Sequence, residues 1–307
     1  DYYSIANTFF LSGFYGSYNY FPGGLTLLQI MKFLSFGNPY IGSKIIMIAY
    51  FSLTSFYVFK MSKNLSYYTR IFATIVIVFC NYPLLSTVHT ANFEGFILII
   101  MIFAYLFYKN NKINLTFLLI GVAGAIKIYP LFIFFAFVKR NNFFKGVGFT
   151  SLGFLSAFIS PFLISLIYYP NGNVVDGFVA WTETLKSGQA LEMYKNTMII
   201  GYNGVFFGHS LLNSIRLLMT PYESMMISFM TNYYSHILLS STLLIIASSI
   251  ISLKIKNVIY RYIFIISALC LFRPTSSDYY LIQFIVPFVP LMLSEISYKN
   301  DLKILIA

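Results

Sequence analysis

Between residues 40 and 296 the sequence alternates long apolar runs with short connections, and no other property limits its folding as tightly. A helix advances only ~1.5 Å per residue, so crossing the hydrocarbon core of a bilayer takes about 20 apolar residues. We read membrane segments at 40–59, 71–88, 93–108, 113–138, 147–168, 233–253, 259–272 and 279–296. With 58% hydrophobic and only 9% charged residues, a soluble domain of this chain could not cover its own surface with polar groups. The fold expected is all-α, a polytopic transmembrane bundle of about 8–10 segments with external interfacial helices.

The net charge of +11 would suit nucleic acid if it lay on one polar surface, but its placement follows membrane topology instead. Thirteen of the 20 Lys and Arg residues fall in connections assigned to a single face: Lys60, Lys63, Arg70, Lys109, Lys112, Lys139, Arg140, Lys145, Lys254, Lys256, Arg261, Lys299 and Lys303. Basic residues in short loops mark the cytoplasmic side. Seven of the nine acids, Asp1, Glu94, Asp176, Glu183, Glu192, Glu223 and Asp278, fall on the other side. The abundance of Phe, Tyr, Ile, Asn and Lys is what AT-rich coding gives and suggests a bacterial source; with the charge placement, the expectation is a bacterial inner membrane with the polar chemistry on the external face.

A single domain, 1–307, is expected. Residues 1–39 read as a first external loop and an interfacial or re-entrant helix opened by Pro22 and Gly23, and 170–232 as a large external loop that holds the only tryptophan, Trp181. Within that loop, 197–207 and 211–219 read as interfacial helices. Asp1 stands where an initiator Met would, and the chain stops inside the apolar stretch 302–307, so it reads as a fragment lacking an upstream span. Cys80 and Cys270 both fall in apolar runs and read as small buried side chains, not a disulfide or metal site.

The run 113–138 contains Lys127-Ile128-Tyr129-Pro130, a cation and a helix breaker in mid-run. Proline lacks a backbone donor, and an ionised lysine in hydrocarbon costs about 2.5–3.5 kcal/mol on insertion scales. Lys112 and Lys139 are both assigned to the cytoplasmic face, so the run is expected to enter and leave on the same side. A bent hairpin whose halves are each about 20 Å long would carry Lys127 to Pro130 towards the external leaflet.

No phosphate-binding loop, Gly-x-Gly-x-x-Gly or Gly-x-Ser-x-Gly is present, and His89, His209 and His236 are too scattered to form a zinc site. The ionisable residues near the external surface remain: Asp1, Glu94, Lys127, Arg273 and Asp278, with His89 and His209 nearby. Charges at membrane depth face a cavity or one another. Carboxylates beside Lys and Arg suit proton abstraction coupled to departure of an anionic leaving group.

Four short motifs carry a resemblance. Asp1, followed by Tyr3, Ala6, Gly13 and Phe21-Pro22-Gly23, resembles the first external loop of GT-C glycosyltransferases, in particular the polyprenol-phosphate-sugar-dependent enzymes of glycosyltransferase family 87. Ala91-Asn92-Phe93-Glu94-Gly95 is similar to that family's Gly-Asn-x-Glu-Gly helix start, with Ala91 in place of the first glycine. Ile126-Lys127-Ile128-Tyr129-Pro130 is similar to its Lys-x-Tyr-Pro signature, and Ser276-Ser277-Asp278-Tyr279-Tyr280-Leu281-Ile282 to the opening of a late helix. The resemblance implies inverting transfer from a polyprenyl-phosphate sugar donor to a lipid or glycan acceptor among membrane lipids, with no part for nucleic acid. It implies that Asp1 is the general base and that Lys127 neutralises the leaving phosphate. Arg273 is a second phosphate-binding candidate from its charge and placement alone. Asn92, Glu94, Tyr129, His209, Asp278 and Tyr279 are the substrate-pocket candidates. No Asp-x-Asp follows Asp1 and no metal-ligating set is read, so the need for a divalent metal stays open.

Structural roles compete with these: an N-cap for Asp1, helix-start carboxylates for Glu94 and Asp278, a snorkelling lysine in a proline-kinked helix for Lys127, and headgroup anchors for Arg273 and the tyrosines. Two other functions compete as well. An O-antigen polymerase or ligase would rely on arginines in its large loop, where only Arg216 stands. A lipid or solute transporter would show broken helices in two matching halves, and the sequence shows one broken run.

Overall fold

A computed structural model describes residues 23–89, 92–168, 210–218, 225, 228–229, 232–272 and 278–299. Among them the regular structure is helix alone. The expectations for 1–22, for most of the loop 170–232 including Trp181 and 197–207, and for Arg273 lie outside the described residues.

Local chemistry sets the helix boundaries. Helix α1 (Gly23–Leu34) ends where Phe36 and Gly37 take left-handed backbone conformations, φ 51° and 78°. Asn38 then starts α2 (Pro39–Met61): its side chain accepts from the amides of Tyr40 and Ile41, and Pro39 occupies the first helical position, where no donor is needed. Ser66 caps α3 (Tyr67–Phe79) in the same manner through the Thr69 amide. The expected single run 71–88 does not form. It breaks at Cys80 and Asn81, where Asn81 Oδ1 accepts from the Leu84 amide and begins α4 (Tyr82–His89) at 63° to α3. Pro83 cannot continue the bonding of the preceding helix. Cys80 sits at this break and is exposed, contrary to its reading as a buried side chain.

After α5 (Glu94–Lys109), the run 113–138 divides into α6 (Ile113–Ile126) and α7 (Pro130–Phe137), with Lys127 extended at φ −143° and ψ 140°. The two halves fold back on each other. Gly124 lies against Leu131, and one turn or two further from the bend the rings of Phe117 and Phe134 meet at 5.1 Å between centroids. The expected halves of equal length are corrected. Helix α7 has eight residues and spans only about 12 Å.

Helix α8 (Phe143–Tyr168) returns alongside α6 at very short range. A methyl at Gly121 would fall 2.0 Å from the Thr150 carbonyl oxygen, and one at Gly153 2.0 Å from that of Leu118. Helix α1 closes the far end of this pair, with Thr26 Oγ1 2.6 Å from Ser160 Oγ and Gln29 Nε2 donating to the Pro161 carbonyl. The rest comprises α9 (Leu211–Leu218), α10 (Tyr234–Ser252), α11 (Val258–Phe272), a 3-10 segment Asp278–Phe284, and α12 (Ile285–Lys299). The expected late span thus opens as 3-10 structure, and α12 begins only past Gln283, whose carbonyl finds no amide four residues on at Pro287.

Among the described residues, three helices are long and apolar enough to cross a membrane, Tyr40–Met61, Arg140–Leu163 and Ser235–Ser252, or four if the bent α3–α4 pair is one span. Shorter apolar helices, Ile113–Ile126, Val258–Phe272 and Leu281–Leu293, fill in between them. The transporter argument also changes, since α3–α4 is a second broken run that the sequence reading took as continuous.

Basic residues from distant connections collect at one end of the bundle. Arg70 donates to the Phe59 carbonyl and stacks 3.6 Å from that ring's centroid, and Lys109 Nζ is 3.9 Å from Met61 Sδ. Arg261 reaches Ile255 and Val138. The start of α5 and the bend between α6 and α7 stand at the opposite end.

Candidate active site

Two of the sequence motifs, 33 positions apart, form one polar cluster. Lys127 Nζ donates to Glu94 Oε1 at 2.6 Å, and Tyr129 Oη donates to Glu94 Oε2 at 2.5 Å. Glu94 has no exposed surface, whereas the Lys127 side chain is 17% exposed. A buried carboxylate is tolerated only when paired and hydrogen-bonded, and here each oxygen has its own donor.

The local fold explains why these groups meet. Lys127 leaves helical geometry after Ile126, which turns its side chain out of the α6 stack. Pro130 restarts the helix without needing a donor, so Tyr129 lies in the intervening turn. On the opposing strut, Asn92 Oδ1 accepts from the Glu94 amide at 3.0 Å and the Asn92 carbonyl accepts from the Gly95 amide, so Glu94 is held at the first turn of α5. An anionic side chain there also meets the positive end of the helix dipole.

Tyr50, which sequence reasoning did not single out, completes this frame. Its hydroxyl donates to the Asn92 carbonyl at 2.8 Å, and its ring lies so close to Gly95 that a methyl there would stand 2.1 Å from Cε2. The glycine of the Asn-x-Glu-Gly motif therefore makes room for a tyrosine from α2. Gln283 is the other missed residue. It is fully buried, its Nε2 lies 3.4 Å from the Glu94 carbonyl oxygen, and its Oε1 has no partner among the described residues. A lone Tyr or Gln in an apolar run gives no sequence signal for such a role.

Of the predicted site residues, the structure brings together Asn92, Glu94, Lys127 and Tyr129. Tyr129 is 5% exposed and bonded to Glu94, so its hydroxyl serves the cluster and not a membrane-surface belt. Asp278 and Tyr279 begin the 3-10 segment, which packs against α4 and α5, but their side chains are not described. Asp1, Arg273 and His209 lie outside the described residues, as does the His89 side chain.

Fold and site together define an all-helical membrane protein with a buried ion pair at the bend of a broken apolar run. The family model for glycosyltransferase family 87 matches residues 18–255, well over half of the chain, and the protein belongs to that family. It is a membrane glycosyltransferase, moving a sugar from a donor to an acceptor. The matched stretch includes Asn92, Glu94, Lys127 and Tyr129, while Asp1, Arg273, Asp278 and Tyr279 lie beyond it. No curated protein and no solved structure matches the chain.

Proposed function

We propose that the protein transfers a hexose, mannose by family analogy, from a polyprenyl-phosphate sugar to a lipid-linked or cell-envelope glycan, with inversion, at the external leaflet of a bacterial inner membrane. The observation that carries this reading is the Lys127–Glu94 ion pair, held at a helix break opposite the cationic end of the bundle. A departing phosphate needs positive charge fixed in advance where its own charge develops. Glu94 takes one hydrogen of the ammonium and Tyr129 steadies the carboxylate, so Lys127 is oriented before any substrate arrives.

In the reaction, Asp1 accepts the proton of an acceptor hydroxyl as that oxygen attacks the anomeric carbon. The bond from that carbon to the phosphate oxygen breaks with its electron pair, and polyprenyl phosphate leaves towards Lys127 and Arg273. Asn92 frames Glu94, while His209, Asp278 and Tyr279 are assigned to the sugar pocket.

The test is transfer in proteoliposomes supplied with radiolabelled polyprenyl-phosphate mannose and a membrane-lipid extract, comparing wild type with Asp1→Asn. Label moved to a new lipid or glycan by wild type alone supports both the reaction and the base. Equal transfer by both removes Asp1 from the mechanism, and no transfer from a panel of polyprenyl-phosphate hexoses overturns the donor class.

A further inference from the structure

Arg261 stood in the sequence as one more cytoplasmic loop cation, but it occupies the first turns of α11 and is 8% exposed. Its partners are main-chain carbonyls. Nη1 points at the oxygens of Phe135, Ala136 and Val138, at 3.3, 3.4 and 2.8 Å, and Nε and Nη2 both donate to Ile255, at 3.0 and 2.7 Å. Three of these oxygens belong to the C-terminal end of α7, where carbonyls lack partners within the helix and carry the negative end of its dipole. A guanidinium supplies a rigid fork that can bridge two chain segments, which an ammonium cannot copy.

Helix α7 is therefore pinned at both ends. At its start, Tyr129 and Lys127 are tied to Glu94; at its end, Arg261 ties the last carbonyls to the α10–α11 connection. Phe137 adds ring contacts with Tyr108 and Tyr262 at 5.1 and 5.8 Å. A two-turn helix behaves as a short rigid strut of about 12 Å, so displacement of its end is transmitted to its start. We propose that Arg261 is a positioning residue for sugar transfer, which sets the place of Lys127 through α7. The proposal rests on the reading of Lys127 as the charge that meets the leaving group.

The test uses spin labels, so that it does not depend on the donor. Labels are attached at Ile128→Cys, beside the cluster, and at Asn110→Cys, at the far end of α5, in a Cys80→Ala/Cys270→Ala background. A second pair, Lys44→Cys with Asn110→Cys, reports on the bundle without α7. Double electron–electron resonance is then recorded for the parent, Arg261→Gln and Arg261→Lys. The expected result is a 128–110 distance distribution at least twofold broader in Arg261→Gln, an intermediate width in Arg261→Lys, and an unchanged 44–110 distribution. Transfer by Arg261→Gln should fall about tenfold in kcat with donor KM within twofold. An unchanged 128–110 distribution overturns the proposal, and so does equal broadening of both pairs, which would make Arg261 a general bundle residue. If the parent moves no sugar at all, the donor reading fails while the distance result still decides the clamp.

Discussion

Removing the Lys127 ammonium should cost more than removing the Glu94 charge, and removing both should cost less than the first alone. The asymmetry follows from burial. Glu94 has no exposed surface, so Lys127→Met leaves a buried carboxylate with Tyr129 as its only described side-chain donor, a loss on the order of 3–5 kcal/mol. Lys127 is 17% exposed and carries a flexible stem, so in Glu94→Gln the ammonium can turn towards water, and the cost is about 1–3 kcal/mol. In the double variant neither charge is stranded, and its destabilisation should fall at least ~1 kcal/mol below that of Lys127→Met. Reversible unfolding in mixed micelles, titrated with sodium dodecyl sulfate, measures all four proteins. Additivity within about 0.5 kcal/mol would refute the coupling of the two motifs. Equal costs for the two single variants would refute the burial argument.

Gly95→Ala should cost about 1–3 kcal/mol in the same titration, since its methyl would stand 2.1 Å from Tyr50, and Tyr50→Ala should absorb most of that penalty when combined with it. Gly121→Ala places a methyl 2.0 Å from the Thr150 carbonyl oxygen, which is backbone and cannot swing aside, so α6 and α8 must part; a loss of about 1–3 kcal/mol is expected, with no relief from side-chain changes at Thr150. Tyr129→Phe removes one charge-assisted hydrogen bond and should cost about 1.5–3 kcal/mol, a loss that should fall to about 0.5–1.5 kcal/mol in the Glu94→Gln background, where a neutral amide oxygen accepts instead.

Much of the site was legible in the sequence as isolated anomalies. Lys127 and Pro130 announce a break because neither is compatible with an uninterrupted helix in hydrocarbon, and the chain breaks there. Glu94 after Asn92 announces a helix start, and α5 begins there. The pairing of the two was not legible, because it depends on how α5 packs against the α6–α7 hairpin. Helix periodicity defines a face but not the partner that meets it. The break at Asn81 was readable in principle, from an Asn two residues before a Pro, yet hydropathy alone smooths over it. Arg261 shows the opposite error. A basic residue near a helix end reads as a topology marker, and only the packed structure brings the α7 carbonyls to its fork.

The central claim is that Lys127, positioned by Glu94, acts on the departing phosphate and not merely on the fold. The most direct measurement is the rate of sugar transfer in proteoliposomes by the Glu94→Gln/Lys127→Met double variant, which loses less stability than Lys127→Met while the charge is gone. The account predicts a fall in kcat of about 10²–10³, the scale of losing one transition-state charge contact, in a protein that the detergent titration shows to be folded under the assay conditions. Transfer within threefold of wild type would contradict it and reduce the ion pair to a structural tie.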